Sequence, residues 1–182
     1  GTDMALDAAS AVWLVLLGGW MAVDGTTVGQ LMVSRPLVAA TLAGWVVGNP
    51  GGGLIVGILL ELFHLAVLPV GAASFPESGP AAVVAGGMYG LAHGVPGALI
   101  MTILFALAWE WVGGATLRAV RQINIRVVAS AEPEHRVDRL QTRHLTAIGI
   151  DFGRGILVTG VGLAVLSALL LLTGRLPMQT QI

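Results

Sequence analysis

The sequence predicts an all-α polytopic membrane protein with about four to six apolar helices, including broken or re-entrant hairpins. Of its 182 residues, 55% are apolar and only 10% are charged, whereas a typical soluble domain carries about 25% charged residues. Residues 36–109 contain only two charged side chains, Glu61 and Glu77. Glycine and proline, rather than charged loops, separate the apolar segments.

Six apolar segments follow one another along the chain, at 8–23, 36–48, 54–70, 81–92, 95–113 and 156–172. The first lacks a preceding basic region and a following cleavage-like site, so we interpret it as a retained membrane segment rather than a signal peptide. The last two approach the roughly 20 residues that a helix needs to cross a hydrocarbon core of about 30 Å.

The segments at 36–48 and 81–92 are too short to cross a membrane, because about 13 helical residues span only about 20 Å. Short apolar pieces interrupted by glycine and proline are typical of the broken helices that line substrate sites in transporters. A plain helical hairpin over 36–70 without any site remains open, since the turn residues at 49–53 fit it equally well.

Small residues recur four positions apart, a spacing that lets helix backbones approach closely in lipid. The pairs are Gly44/Gly48, Gly53/Gly57, Gly86/Gly90, Gly90/Gly94 and Gly149/Gly153. This set predicts tight packing of several short helices, within the chain or against a partner subunit.

Residues 118–143 hold six of the nine basic residues. The positive-inside rule places this stretch in the cytoplasm, and Pro133 divides it into two predicted amphipathic helices. We therefore expect one membrane domain over 1–182, with a transport core at 8–117, a basic cytoplasmic helical loop at 118–147 and a final transmembrane helix at 155–173.

The acids at Glu61 and Glu77 indicate a polar site inside the membrane domain, because a carboxylate at the bilayer centre costs at least about 2.5–3.5 kcal/mol. His64 lies one helical turn from Glu61, within reach on the same face. Ser74 and Glu77 belong to a turn-like stretch that could present them to polar substrate hydroxyls. Asp24 is a further candidate, since one carboxylate can accept hydrogen bonds from two neighbouring hydroxyls.

Simpler interpretations of these residues stay open at this point. His64 could be an interior histidine with its hydrogen bonds satisfied, and Glu77 could serve only the start of the helix at 81–92, where an acid suits the positive end of the helix dipole. Asp24 and Arg35 could form an ion pair that closes a membrane hairpin.

Several classes of function find no support in the sequence. The net charge of −1 and the acids within the basic loop argue against nucleic-acid binding. No Ser/His/Asp arrangement, phosphate loop or zinc spacing is present, and the chain contains no cysteine. We therefore predict no enzymatic activity, no cofactor and no metal.

Residues 33–86 carry a pattern that resembles a known family. The pattern includes Ser34-Arg35-Pro36, Gly53-Leu54-Ile55-Val56-Gly57, Leu60-Glu61-Leu62, Leu68-Pro69-Val70-Gly71 and Pro76-Glu77. These residues resemble the IIC subunit of sugar phosphotransferase systems of the mannose/fructose/sorbose type.

The resemblance implies a multi-pass subunit of the bacterial inner membrane that translocates a sugar by an elevator-like movement. It implies a membrane partner, IID. IIC and IID would form pairs, and these pairs would assemble into larger oligomers. It also implies soluble IIA and IIB proteins that carry phosphate from phosphoenolpyruvate to the sugar.

The family's polar positions would map onto Asp24, Glu61, Ser74 and Glu77. Glu77 departs from the aspartate that the family often has after its proline, and one additional methylene could alter the choice of sugar. The chain is also shorter than typical members, which keeps open a second hypothesis, a non-transporting regulatory or assembly subunit with the same fold.

Overall fold

The computed structural model describes residues 6–26, 32–66, 76–129 and 140–175. Within these ranges the regular structure is entirely α-helical, which confirms the predicted fold class. The six helices, in chain order, are α1 (Ala8–Thr26), α2 (Pro36–Val46), α3 (Pro50–Ala66), α4 (Ser78–Ala92), α5 (Ala98–Ala129) and α6 (Leu140–Arg175).

Three of these helices are long and apolar enough to cross a membrane, namely α1, α5 and α6, over Ala8–Gly25, Ala98–Ile123 and Leu145–Thr173. The other described helices are shorter. With 11 residues, α2 is only about 16 Å long, and α3, with 17 residues, is about 25 Å long. The sequence therefore predicted correctly that the second apolar segment forms a short helix.

Asp7 stands immediately before α1, and its carboxylate accepts a hydrogen bond from the backbone N–H of Ser10 at 2.5 Å. This hydrogen bond lowers the pKa of Asp7, because it favours the charged form. The carboxylate therefore stabilises the start of α1 above its ordinary pKa, and this contribution is lost as the pH falls through the lowered pKa.

A tight turn at Gly48 and Asn49 joins α2 to α3. Gly48 has φ +81°, a conformation that glycine adopts without the steric cost of a side chain. The Asn49 side chain accepts a hydrogen bond from the N–H of Gly52 at 2.9 Å, at the start of α3. Its amide group donates to the carbonyl of Gly90 at 3.1 Å, which fixes the tip of the hairpin against the end of α4.

Glycines permit the two helices of this hairpin to lie in backbone contact. A Cβ on Gly53 would lie 2.2 Å from the carbonyl oxygen of Ala40, and one on Gly57 would lie 2.9 Å from the Leu37 backbone. Gly86 of α4 approaches the same Ala40 carbonyl from the other side, since its Cβ would lie 2.3 Å away. The predicted close packing through small residues is thus present in α2, α3 and α4.

The remaining glycines of the predicted four-residue pattern behave differently. A Cβ on Gly94, Gly149 or Gly153 would meet no heavy atom of the described residues within 4 Å. Spacing alone therefore did not identify which helix face is packed, because these positions lie beside open space.

The central helix of the bundle is α4. It contacts each of the other helices, and nearly all its residues are buried. Its composition explains this position, since Ala and Gly dominate its sequence and let several neighbours approach its backbone at once. The long helices α1, α5 and α6 pack around it.

The described parts of the arginine-rich stretch, residues 118–129 and 140–143, belong to the long helices α5 and α6 and not to separate amphipathic helices. Arg118 and Arg121 lie on α5, and Arg143 lies on α6. Residues 115–129 contain neither glycine nor proline, so nothing in the sequence ends α5 at the membrane boundary. Pro133, the expected divider, lies outside the described residues.

Substitution of Gly53 by alanine tests the close approach of α2 and α3. We expect Gly53→Ala to destabilise the protein by about 1–3 kcal/mol, the usual cost of overpacking, because the new methyl group would overlap the Ala40 carbonyl. Thermal unfolding in detergent measures the effect.

Gly51→Ala is the matched control within the same helix. Its Cβ would meet only the Asn49 side chain at 3.8 Å, so we expect no loss, or a gain of up to about 1 kcal/mol from helix propensity. Equal destabilisation by both substitutions would contradict the packing described here.

Candidate functional site

A cavity of about 350 Å³ opens where α1 ends, α2 begins and α3 approaches its C-terminus. Its polar lining comes from four separate parts of the chain: Asp24, Ser34, Arg35, Glu61, His64 and Ser78. Three of the five predicted site residues, Asp24, Glu61 and His64, thus meet at one cavity.

Asp24 lies on the last turns of α1 and is only 3% exposed. Its carboxylate accepts a hydrogen bond from the backbone N–H of Ser34 at 2.9 Å. This bond holds the segment before α2 against the end of α1. It also places the Asp24 carboxylate, which can accept several hydrogen bonds, at the cavity wall.

Glu61 forms an ion pair with Arg35. The guanidinium of Arg35 donates through Nε to Glu61 Oε1 at 2.8 Å, and its Nη2 approaches the same oxygen. The N–H of Leu37, in the first turn of α2, donates to Oε2 at 3.4 Å. The Arg35 side chain is half exposed and that of Glu61 is mostly buried, so the pair closes the open end of the hairpin and borders the cavity.

The sequence analysis left open an ion pair between Asp24 and Arg35 that closes a membrane hairpin. The ion pair of Arg35 that the structure describes is with Glu61 on α3. The arginine therefore joins the two ends of the α2–α3 hairpin.

His64 lies one turn after Glu61, and both of its ring nitrogens face protein acceptors. Nδ1 lies 2.7 Å from the carbonyl oxygen of Leu60, and Nε2 lies 3.2 Å from Glu110 Oε2. Glu110, on α5, is 2% exposed, and its other oxygen, Oε1, finds no hydrogen-bond partner in the part of the chain that the structure describes.

Glu77 occupies the N-cap position of α4, although its side chain makes no capping hydrogen bond. Its carboxylate is instead held by Arg154 of α6, with Nη1 to Oε2 at 2.6 Å and Nη2 to Oε1 at 2.7 Å. Both side chains are at most 7% exposed. Arg154 also donates through Nε to Asp151 at 3.1 Å.

The Glu77–Arg154 pair fixes the start of α4 relative to α6 and α5. The backbone N–H of Glu77 donates to the carbonyl of Glu110 at 3.0 Å. Of the described residues that line the cavity, one is Ser78, the neighbour of Glu77, whereas Glu77 is not among them. Ser74, the fifth predicted site residue, lies outside the described residues.

Sequence reasoning did not identify the roles of Arg154 and Glu110. A signal for Arg154 was available, because a cation inside a candidate membrane span needs an acidic partner, and Glu77 needed a cation. Glu110 gave no such signal. It lies between two tryptophans, which are typical of a membrane interface, so the sequence suggested an exposed position, whereas the fold buries its side chain.

No metal centre forms among the described residues, which include no group of three or more histidine, aspartate and glutamate side chains placed to hold an ion. Glu61 and His64, one helical turn apart on α3, each contact a side chain of another part of the chain. Glu61 pairs with Arg35 and His64 with Glu110.

The sequence model of one protein family, described as "PTS system sorbose-specific iic component", matches residues 8–171 of the chain. PTS denotes the phosphotransferase system. This chain belongs to that family. IIC components of such systems are integral proteins of the bacterial inner membrane and take part in sugar transport.

Named relatives show the same similarity. The chain is 33% identical to a sorbose-specific EIIC component of Lacticaseibacillus casei over 79 residues, which cover 42% of this chain and 28% of that protein. It is 26% identical to the sorbose-specific EIIC component of Klebsiella pneumoniae over 130 residues, 70% of this chain and 48% of that protein.

A mannose-specific EIIC component of Escherichia coli is 34% identical over 71 residues, 39% of this chain and 27% of that protein. The aligned parts of these curated relatives thus amount to about half of their length or less. No solved structure matches the chain.

The buried ion pair between Glu77 and Arg154 gives a stability prediction. We expect Arg154→Gln to lower the free energy of unfolding by about 3–5 kcal/mol, because it leaves the Glu77 carboxylate buried without its cation. Thermal unfolding in detergent provides the measurement.

Arg121→Gln serves as the control, since Arg121 is exposed on the same bundle and its loss should change stability by no more than about 0.5 kcal/mol. The double variant Glu77→Gln/Arg154→Gln should recover part of the loss. An Arg154→Gln protein as stable as Arg121→Gln would show that the pair does not hold α4 to α6.

Proposed function

We propose that this IIC-family chain binds and translocates a hexose-type sugar, and that the cavity between Asp24 and Glu61 is its sugar site. The observation that carries the proposal is the meeting of two carboxylates, from α1 and α3, at one polar cavity within an apolar bundle. The relatives named sorbose-specific and mannose-specific make these two hexoses the substrates to test.

The size and chemistry of the cavity support a sugar. Its volume of about 350 Å³ falls at the lower end of the usual range for small-molecule sites, about 300–1,000 Å³. Asp24 and Glu61 offer acceptors, Arg35 offers donors, and the hydroxyls of Ser34 and Ser78 offer both. A sugar presents several hydroxyls that each donate and accept, so this mixture matches it.

The position of these groups also supports selectivity. Asp24 is nearly fully buried, and a buried polar group that loses its partner costs about 1–3 kcal/mol. A solute that separates such a group from its partners without offering hydroxyls would therefore bind less tightly than a hexose, which supplies hydrogen bonds of its own.

Glu77 contributes to the proposed site indirectly, because it fixes the position of the start of α4. Its bond to Arg154 sets the start of α4, and Ser78 follows directly and lines the cavity. Ser74 keeps its predicted role as a sugar ligand.

The proposal includes the partners expected of the system. A IID subunit would pair with this chain in the membrane and form larger oligomers with it, and IIA and IIB proteins would deliver phosphate that originates from phosphoenolpyruvate. The chain has no cysteine, so a phosphocysteine would have to reside on another subunit. The elevator-like movement of a core domain also belongs to this proposal.

Glu61→Gln and Asp24→Asn test the site directly. We expect each to weaken the binding of sorbose or mannose by about 1–3 kcal/mol, the usual loss of a hydrogen bond to a charged group. Isothermal titration calorimetry on the chain purified together with its IID partner measures the affinity.

Asp7→Asn is the matched control. Asp7 precedes the same helix that carries Asp24, about 25 Å away along the axis of α1, and its carboxylate is exposed. We expect its affinity to equal that of the unmodified protein. Unchanged affinity in both Glu61→Gln and Asp24→Asn would remove this cavity as the sugar site.

Sugar uptake into vesicles separates the transporter from the alternative, a regulatory or assembly subunit. Vesicles that contain the chain with its IID partner, supplied with IIA, IIB and phosphoenolpyruvate, should accumulate phosphorylated sugar. No uptake by a folded, assembled complex would favour the regulatory subunit.

A further inference from the structure

The contact between His64 and Glu110 has a feature that the proposed sugar site does not use. The imidazole borders the cavity and is partly exposed, whereas the carboxyl group is 3% exposed. Among the described residues Glu110 Oε1 has no hydrogen-bond partner, although an ionised carboxylate in such a place normally collects several donors.

The contacts of the His64 ring require one additional proton between His64 and Glu110. Nδ1 of His64 faces the carbonyl of Leu60, which can only accept, so Nδ1 carries a hydrogen. In a neutral imidazole the other nitrogen, Nε2, is then an acceptor. It faces Glu110 Oε2 at 3.2 Å, and an ionised carboxylate there would place two lone pairs against each other.

One additional proton between Nε2 and Oε2 removes this conflict. The pair is then either a neutral imidazole with a protonated carboxyl group, or an imidazolium with a carboxylate, and both forms contain the same number of hydrogens.

The charged groups around His64 favour a proton at this place. Glu61 lies one turn earlier on α3, and Asp24 of α1 lines the same cavity. Among the described lining residues the arginine is Arg35, which is bound to Glu61.

We propose that Glu110 is a positioning residue of the sugar site, which holds the His64 side of the cavity in place by sharing one proton with the imidazole. This inference rests on the proposed function, since it assigns the cavity to the sugar. When the proton leaves, at higher pH, Nε2 and Oε2 repel each other, His64 turns away from Glu110, and the cavity loses part of its wall.

The dependence of sugar affinity on pH tests this proposal. For the unmodified complex we expect the affinity for sorbose or mannose to fall by about tenfold between about pH 6 and about pH 9. This range extends above the usual one for histidine, about pH 5–8, because the nearby carboxylates favour the charged imidazole. Calorimetry in two buffers of different ionisation enthalpy also counts the protons that accompany binding.

Glu110→Gln should abolish this dependence. The amide of glutamine can donate to Nε2 of a neutral His64, so the contact no longer needs the additional proton. We expect a change of less than about twofold over the same pH range. His64→Gln should give the same flat profile, and it provides a second test if Glu110→Gln does not fold.

Glu61→Gln is the matched control on the same helix. It should lower affinity at every pH and still show a fall in affinity as the pH rises, displaced towards lower pH because one of the charges that favour the His64 proton is removed. A Glu110→Gln complex or a His64→Gln complex that retains the full dependence would overturn the proposal.

Nitrogen NMR of ¹⁵N-histidine-labelled protein distinguishes a failure of this inference from a failure of the proposed function, because it needs no sugar. A His64 signal that shows a proton hydrogen-bonded at Nε2, and that changes in Glu110→Gln, supports the shared proton even if no sugar binds. Identical His64 signals in both proteins would overturn it.

Discussion

Each described acid within the membrane-spanning bundle needs a cation, a proton or a backbone donor from another part of the chain, and this requirement organises the structure. Glu61 on α3 is bound to Arg35 before α2, Glu77 before α4 to Arg154 on α6, and Glu110 on α5 to His64 on α3. Since an uncompensated buried charge costs several kcal/mol, these contacts act as specific connections between helices whose other surfaces are nearly all apolar.

Close backbone packing makes these connections possible. Gly53 lets α3 lie against α2, and Gly86 lets α4 lie against the same residue, Ala40. The short hairpin therefore sits against the buried central helix, with its tip fixed by Asn49. Its open end carries Arg35 and Glu61 to the end of α1, where Asp24 completes a polar cavity. The cavity thus lies at helix ends, where α1 and α3 end and α2 and α4 begin.

Much of this could be predicted from the sequence. Composition and the lengths of apolar segments predicted the membrane class and the short second helix. The acids Glu61 and Glu77 suggested a polar site, and of the two Glu61 is among the described lining residues of the cavity. The pairing could not be predicted, because Glu77 and Arg154 are far apart in sequence and only the packing of α4 on α6 brings them together. The burial of Glu110 also escaped prediction, since it depends on how α5 is rotated. The ends of α5 and α6 were misplaced because charge marked the membrane boundary but did not end either helix.

The most direct measurement of the central claim is an experimental structure of the complex in a lipid nanodisc with sorbose or mannose bound. The account predicts density for one sugar between Asp24 and Glu61, with its hydroxyls within hydrogen-bond distance of both carboxylates and with Glu77 still bound to Arg154. Sugar density at another place, with both carboxylates directed towards lipid headgroups or bulk water, would contradict it.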